Sequence, residues 1–259
     1  MAPANPKPTI FIIAGAWHRP SAYSSLATHL ETAGFPTTTV PLPSVNSATP
    51  TAATCAQDTD SVREKLLSAI EADGKDILVI AHSYGGIPTG GASHGLSKTS
   101  RSQEGKSGGV LGLIYMCAHV VPEGTTVLGY LGIDYPPWVQ LNQPSAGLCT
   151  PATPIETFYH DLDPATAKRL AESLDPQALL VFESPTPAPA WAEPAYQGKL
   201  AYIRTTQDQT SPVVLQDIFW QRSGVDWIVR DFESGHSPFA NKAEEVVDFT
   251  VELVERFGG

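Results

Sequence analysis

Three residues in this 259-residue chain stand where a hydroxyl could be made into a nucleophile. Ser83 sits in Ala81-His82-Ser83-Tyr84-Gly85-Gly86, directly after the apolar run Ile77 to Ile80. A serine hydroxyl attacks poorly at neutral pH; it needs a base to take its proton and an acid to orient that base. Small residues two before and two after the serine allow a sharp strand-to-helix turn, the pattern of a nucleophile elbow with Ala81 in place of the first glycine. The plainer reading is a buried strand whose Ser83 caps the next helix. His236, in Glu233-Ser234-Gly235-His236-Ser237-Pro238-Phe239, is the one histidine of seven placed between the last predicted strand and the last predicted helix. Asp208 is the only carboxylate of the loop Thr206-Gln207-Asp208-Gln209 and is preferred as the acid. Its rivals are Glu123, after an earlier strand, and Asp231 and Glu233, close to His236 in sequence. Serine, acid and histidine in that chain order, each after a strand, suit acyl transfer.

Acyl transfer also needs preorganised N–H donors for the oxyanion. One is expected from Tyr84, the residue after the nucleophile, and the other from Ala16 in the loop Gly15-Ala16-Trp17-His18, where a small side chain lets an oxygen approach. Trp17 and His18, beside that loop, are expected at the substrate pocket, although core packing and surface exposure are their plainer readings. Trp138, Phe158 and Trp191 are expected as apolar pocket walls.

These residues need a frame that brings strand ends together. Thr9 to Ala14, Thr37 to Val40, Asp76 to His82, Val110 to Cys117, Leu200 to Thr205 and Trp227 to Asp231 read as strands. Helical spacing over Ser21–Ala33, Thr59–Glu71, from about Gly85, Val213–Arg222 and Ala243–Phe257 separates them. The alternation predicts an α/β fold, a mostly parallel sheet of about six strands flanked by helices. Pro41 to Thr54 reads as a loop, and Ser97 to Gly109, polar and glycine-containing, as an exposed mobile loop. From residue 122 to 195 the rhythm stops, and this proline-dense stretch is expected as an inserted cap. The predicted organisation is thus core (1–121), cap (122–195) and core (196–259).

Composition limits the partners. With 27 acidic and 16 basic residues the net charge is −11, which argues against nucleic acid and against an anionic membrane surface. Cys55, Cys117 and Cys149 are too sparse for a disulfide framework or zinc site. The proline-rich start, Met1 to Pro8, has no apolar signal core, and no run is long enough to span a bilayer. A cytoplasmic location is the default expectation, with a small-molecule substrate as partner and a homodimer as the self-association to test.

Taken together, Ala14-Gly15-Ala16-Trp17-His18, the elbow, Thr205-Thr206-Gln207-Asp208 with Gln216, and Gly235-His236-Ser237-Pro238-Phe239 resemble the α/β-hydrolase superfamily over nearly the whole chain. They are similar to its compact branch of methyl-salicylate-type esterases, hydroxynitrile lyases and microbial esterase-like proteins. The resemblance implies Ser83 as nucleophile, His236 as base, Asp208 as orienting acid, Ala16 and Tyr84 N–H groups as oxyanion hole, and no metal or organic cofactor. Ala14 replaces a structural histidine found in many relatives, a change that bears on loop support. A serine esterase or lactonase for a small, largely apolar ester is the leading expectation. The alternative is a lyase, cyclase, dehydratase or C–C bond-cleaving enzyme of secondary metabolism with the same triad, and a ligand-binding receptor ranks last. Lyases of this branch carry Thr and Lys where this chain has Gly15 and Ser237, which favours the esterase.

Overall fold

The computed structural model describes residues 7–258; residues 1–6 of the proline-rich start lie outside the described residues. The chain runs β1 (Thr9–Ile13), α1 (Ser24–Thr32), β2 (Thr37–Val40), α2 (Cys55–Asp73), β3 (Asp76–His82), α3 (Gly86–Ser93), α4 (Lys98–Gln103) and β4 (Gly109–Met116). After an insertion it resumes with β8 (Leu200–Thr205), α9 (Val213–Arg222), β9 (Ile228–Phe232), α10 (Pro238–Asn241) and α11 (Ala243–Gly258). The strands form one six-stranded sheet in the order β2-β1-β3-β4-β8-β9. Every pairing is parallel. All of β1 and β4, and β3 from Ile77 onward, are buried, as parallel strands covered on both faces must be. The helices that flank them pack in pairs, α1 on α11 and α2 on α3.

Helix α2 starts four residues earlier than the apolar spacing suggests. Thr54 accepts from Gln57 N–H while the Gln57 side chain accepts from Thr54 N–H, a capping box that satisfies two otherwise unpaired donors. Gly74, at φ +61°, closes the helix in the left-handed conformation that glycine adopts without strain.

The expectation of a loop over residues 97–109 is corrected: Lys98–Gln103 is helical, capped by the Ser97 side chain. Arg101, only 5% exposed, is the reason. Its guanidinium donates to the carbonyl oxygens of Gly108 and Ser107 and pairs with Glu71, so one charged side chain folds the polar segment around itself. A glycine- and serine-rich composition hides such an internal anchor.

Between β4 and β8 lie α5 (Val127–Leu131), β5 (Val139–Leu141), β6 (Leu148–Pro151), α6 (Pro154–Phe158), α7 (Pro164–Glu172), β7 (Gln177–Ala178) and α8 (Leu180–Glu183). β5, β6 and β7 form a small antiparallel sheet that the sequence pattern does not announce. Their short, partly exposed segments carry too few alternating residues to register as strands. An isolated bridge between Gln177 and Val45 ties this insertion to the loop after β2. Among the described residues, no helix is long and apolar enough to cross a membrane.

Candidate active site

The register of the central strands sets where the chemistry-bearing loops emerge. Ile13 pairs with Ala81, and His82 with Met116, so the loops after β1, β3 and β4 leave the sheet side by side at its carboxyl edge. In open parallel sheets this edge is where ligands bind. At the end of β3, Ser83 takes φ +52°, a left-handed conformation that an L side chain adopts only when its surroundings hold it. Two glycines make that possible. A Cβ on Gly85 would meet the Ala14 carbonyl oxygen at 2.5 Å, and one on Gly86 would strike the carbonyl oxygen of His119.

Ser83 Oγ lies 2.9 Å from His236 Nε2, and His236 Nδ1 lies 2.7 Å from Asp208 Oδ2. A carboxylate only accepts, so Nδ1 carries the proton and the unprotonated Nε2 accepts from the Ser83 hydroxyl. Asp208 is itself fixed on both oxygens. Thr205 Oγ1 donates to Oδ2 at 2.9 Å, and the N–H groups of Thr210 and Ser211 donate to Oδ1 at 2.8 Å each. Gln216 reaches back from α9 to bind Thr205 N–H and O, bracing the end of β8. His236 and Asp208 are buried, so their contact is shielded from water. The alternative acids are elsewhere: Glu123 is exposed, Asp231 pairs with Arg204, and Glu233 accepts from Gln207.

Ala16 and Tyr84 flank Ser83 in the same cavity. Their N–H groups have no protein acceptor among the described residues, Tyr84 because it lies in the first turn after the strand. The loop that carries Ala16 is supported without a histidine at position 14. Gly15 N–H donates to Tyr23 Oη at 2.8 Å, and Tyr23 Oη lies 2.8 Å from His82 Nδ1. His82 Nε2 lies 2.9 Å from the His236 carbonyl oxygen. Burial, with the His236 and His18 charges second, pushes His82 well below its usual range, so it is neutral with a single ring proton. That proton must sit on Nε2, facing the carbonyl, and Tyr23 therefore donates to Nδ1. One relay thus joins the Gly15–Ala16 loop, the elbow and the histidine loop.

A cavity of about 650 Å³, counting its mouth, opens on Ser83. Its walls are mostly apolar. Val127, Leu128 and Leu131 of α5, together with Trp138 and Phe182, come from the insertion, and Leu215 and Phe219 come from α9. Of the expected wall residues, Trp17 and Trp138 line it, their rings 5.7 Å apart. Phe158 stands behind them, 5.7 Å from the rings of both Trp17 and His236, and braces the site without facing the cavity. His18 is also buried outside the lining: Nδ1–H donates to Ala16 O at 2.7 Å, and Nε2 accepts from Tyr159 Oη at 2.9 Å. It ties the turn at Ala16 to the insertion.

Trp191 requires correction. It lines a separate surface hollow with Glu193, Pro194 and Val225. The proline-rich segment before it packs onto Gly90 and Gly91 of α3, where a Cβ would meet Pro189 and Pro187, and this carries Trp191 to the flank of the core. Conversely, His119 lines the cavity although no motif in the sequence marks it. Its place just after Met116, the end of β4, would have identified it, since carboxyl strand ends are where such sites form.

His82, Cys117 and His236 bring one ligand-type atom each within 4.8 Å of one another. They do not fit a metal. All four imidazole nitrogens are engaged in hydrogen bonds, and burial, followed by the Asp208 charge, pushes the Cys117 thiol well above its usual range, away from the thiolate a metal needs.

Histidines held neutral by the fold, buried His18 and half-buried His119, make it acid-sensitive. Burial, partly offset by the Ala16 carbonyl, lowers His18 from 6.5 to about 4, and burial lowers His119 to about 3. A group neutral in the fold and protonated more readily in the unfolded chain contributes full stability above 6.5 and loses it as pH falls toward the folded value. His18 alone accounts for about 3 kcal/mol across that window. Asp58, pushed upward chiefly by burial, works in the opposite sense at one site. The urea unfolding midpoint is expected to fall steadily between pH 6.5 and 4.5; a flat profile would show that these rings are not held neutral.

A model of the alpha/beta hydrolase family matches residues 10–249. The alpha/beta hydrolase nvfD of Aspergillus novofumigatus is 30% identical over 245 residues, covering 93% of this chain and 94% of that protein. Among solved structures, a pyrethroid hydrolase from Sphingobium faniae superposes with a TM-score of 0.71 at 18% identity, covering 96% of this chain and 97% of that one. A methylesterase from Arabidopsis gives 0.67 at 20% identity, covering 95% and 99%. The sheet order, the elbow and the full-length family match lead to one assignment: this chain belongs to the alpha/beta hydrolase family.

Proposed function

We propose that the protein is a serine hydrolase, an esterase or lactonase, that cleaves a small and largely apolar ester through an acyl-enzyme. The observation that carries this reading is the unbroken line Ser83 Oγ, His236 and Asp208, at 2.9 and 2.7 Å, opening on an apolar cavity. As Oγ attacks the carbonyl carbon, His236 Nε2 takes the hydroxyl proton and Asp208 stabilises the imidazolium. Charge gathers on the carbonyl oxygen, where the Ala16 and Tyr84 N–H groups can receive it. His236 returns the proton to the leaving alkoxide and the alcohol departs. A water molecule, deprotonated in turn by His236, then cleaves the acyl–Ser83 bond. No step calls for a metal or organic cofactor.

The insertion contributes much of the cavity wall, which suits an apolar acyl or alcohol group and limits the water around the reacting charges. The names of the structural neighbours, a pyrethroid hydrolase and a methylesterase among them, are consistent with ester cleavage. A serine-reactive p-nitrophenyl phosphonate tests the reading. It is expected to release one equivalent of p-nitrophenol and leave a single adduct, located by mass spectrometry on Ser83. Labelling elsewhere, or none, would reject acyl transfer through this serine and favour a proton-shuttling lyase or a binding protein.

A further inference from the structure

His119 is held in place beside the nucleophile. Its backbone N–H donates to the Ser83 carbonyl oxygen at 3.0 Å, and its own carbonyl closes against Gly86. The imidazole stacks on Phe219, ring centroids 5.0 Å apart and planes 29° from parallel. The ring borders the cavity that opens on Ser83, and its buried Nδ1 has no hydrogen-bond partner within the protein among the described residues. By contrast, His18, His82 and His236 each use both ring nitrogens. Polar groups withdrawn from water are nearly always paired, so an unpaired one at a cavity wall calls for a partner from outside the chain.

We infer that His119 is a substrate-binding residue, selecting esters or lactones that carry a second neutral oxygen, a hydroxyl or keto group, a few bonds from the carbonyl that Ser83 attacks. This inference rests on the acyl-transfer reading and narrows its substrate class. A neutral imidazole offers one donor and one acceptor, which match a hydroxyl or keto oxygen. Burial, with the His236 charge second, pushes His119 down to about 3, which favours a neutral oxygen over a carboxylate as its partner. Against mostly apolar walls, a fixed polar group of this kind sets the orientation of a ligand and discriminates against analogues that leave it unpaired. The stack on Phe219 fixes the plane in which the ring meets the substrate.

The test compares methyl pentanoate with methyl 3-oxopentanoate, 3-hydroxypentanoate and 4-oxopentanoate. For each oxygenated ester, kcat/KM is divided by that of methyl pentanoate, and the ratio is measured in wild type, His119→Phe and His119→Gln. Comparing ratios between proteins cancels both intrinsic ester reactivity and any general loss in a variant. His119→Phe keeps a stacked ring and removes both nitrogens. Its ratio is expected to fall by about tenfold or more for at least one oxygenated ester, the equivalent of one lost hydrogen bond. His119→Gln is expected to recover part of the ratio. Ratios unchanged in His119→Phe for every ester would overturn the inference and leave His119 as packing for Phe219. A wild type that cleaves none of the esters and leaves Ser83 unlabelled by the phosphonate would instead reject acyl transfer itself.

Discussion

Ser83→Ala is expected to lower kcat on p-nitrophenyl butyrate by a factor of roughly 10⁶, with KM changed little. The hydroxyl removed is the only atom of the site that forms and breaks a bond to carbon in the proposed route. His236 and Asp208 would remain hydrogen-bonded to each other, and the Ala16 and Tyr84 donors would be unaffected, so residual rate should come from oxyanion stabilisation and binding alone. The substitution is also gentle on the fold. Ser83 is held at φ +52° by its neighbours, and alanine has the same Cβ, so the turn loses only the hydroxyl contact to His236. Stopped-flow p-nitrophenol release is the measurement: wild type should show a burst of one equivalent and the variant none. A variant that kept the burst would move the nucleophile away from Ser83.

Asp208→Asn is expected to cost roughly 10⁴ in kcat, less than the serine but with a more specific cause. Thr210 and Ser211 N–H groups need an acceptor, so the amide oxygen should turn toward them. The amide NH₂ then faces His236 Nδ1, which must become the acceptor. The ring proton moves to Nε2, where it points at Ser83 and blocks removal of the hydroxyl proton. The geometry survives while the tautomer is wrong. Thermal unfolding should change far less than kcat, because an asparagine fills the same space. Glu123→Gln is the matched control, an exposed acid outside the cavity, and should stay within about twofold of wild type. A large loss at Glu123 with little at Asp208 would reverse the assignment of the acid.

The parts of the site closest to the sheet were the most legible in sequence. β3 reads as a buried strand because parallel strands are apolar throughout, and the residues packed at its carboxyl end must shrink for the chain to turn. The same logic exposes β8 ahead of Asp208, whereas β9, the edge strand ahead of His236, is only partly buried. Where function depends on long-range partners the pattern gives no signal. Residues 97–109 read as a loop because their composition is polar, while the buried Arg101 that organises them is visible only in three dimensions. Trp191 and Phe158 look like pocket walls by type, but type does not say which way a ring faces. The Gly90–Gly91 surface draws Trp191 aside, and Phe158 packs against Trp17, which lines the cavity while Phe158 does not.

By itself the sequence determined the α/β frame, the positions of Ser83, Asp208 and His236 at strand ends, and the glycines that the elbow needs. These depend on local rules: strand periodicity, helix caps, and steric limits on a tight turn. Only the tertiary structure decided which acid reaches His236, since Asp208, Glu123, Asp231 and Glu233 are chemically equivalent until the sheet order brings one of them within 2.7 Å. It likewise decided that Tyr23 and His82 support the Gly15–Ala16 loop, that His18 is an internal strut, and that His119 reaches the cavity with its Nδ1 unpaired. Most of these depend on contacts between segments far apart in the chain, such as Tyr23 with His82 and His18 with Tyr159, and the free energy that selects them comes from packing and desolvation, which no local pattern records.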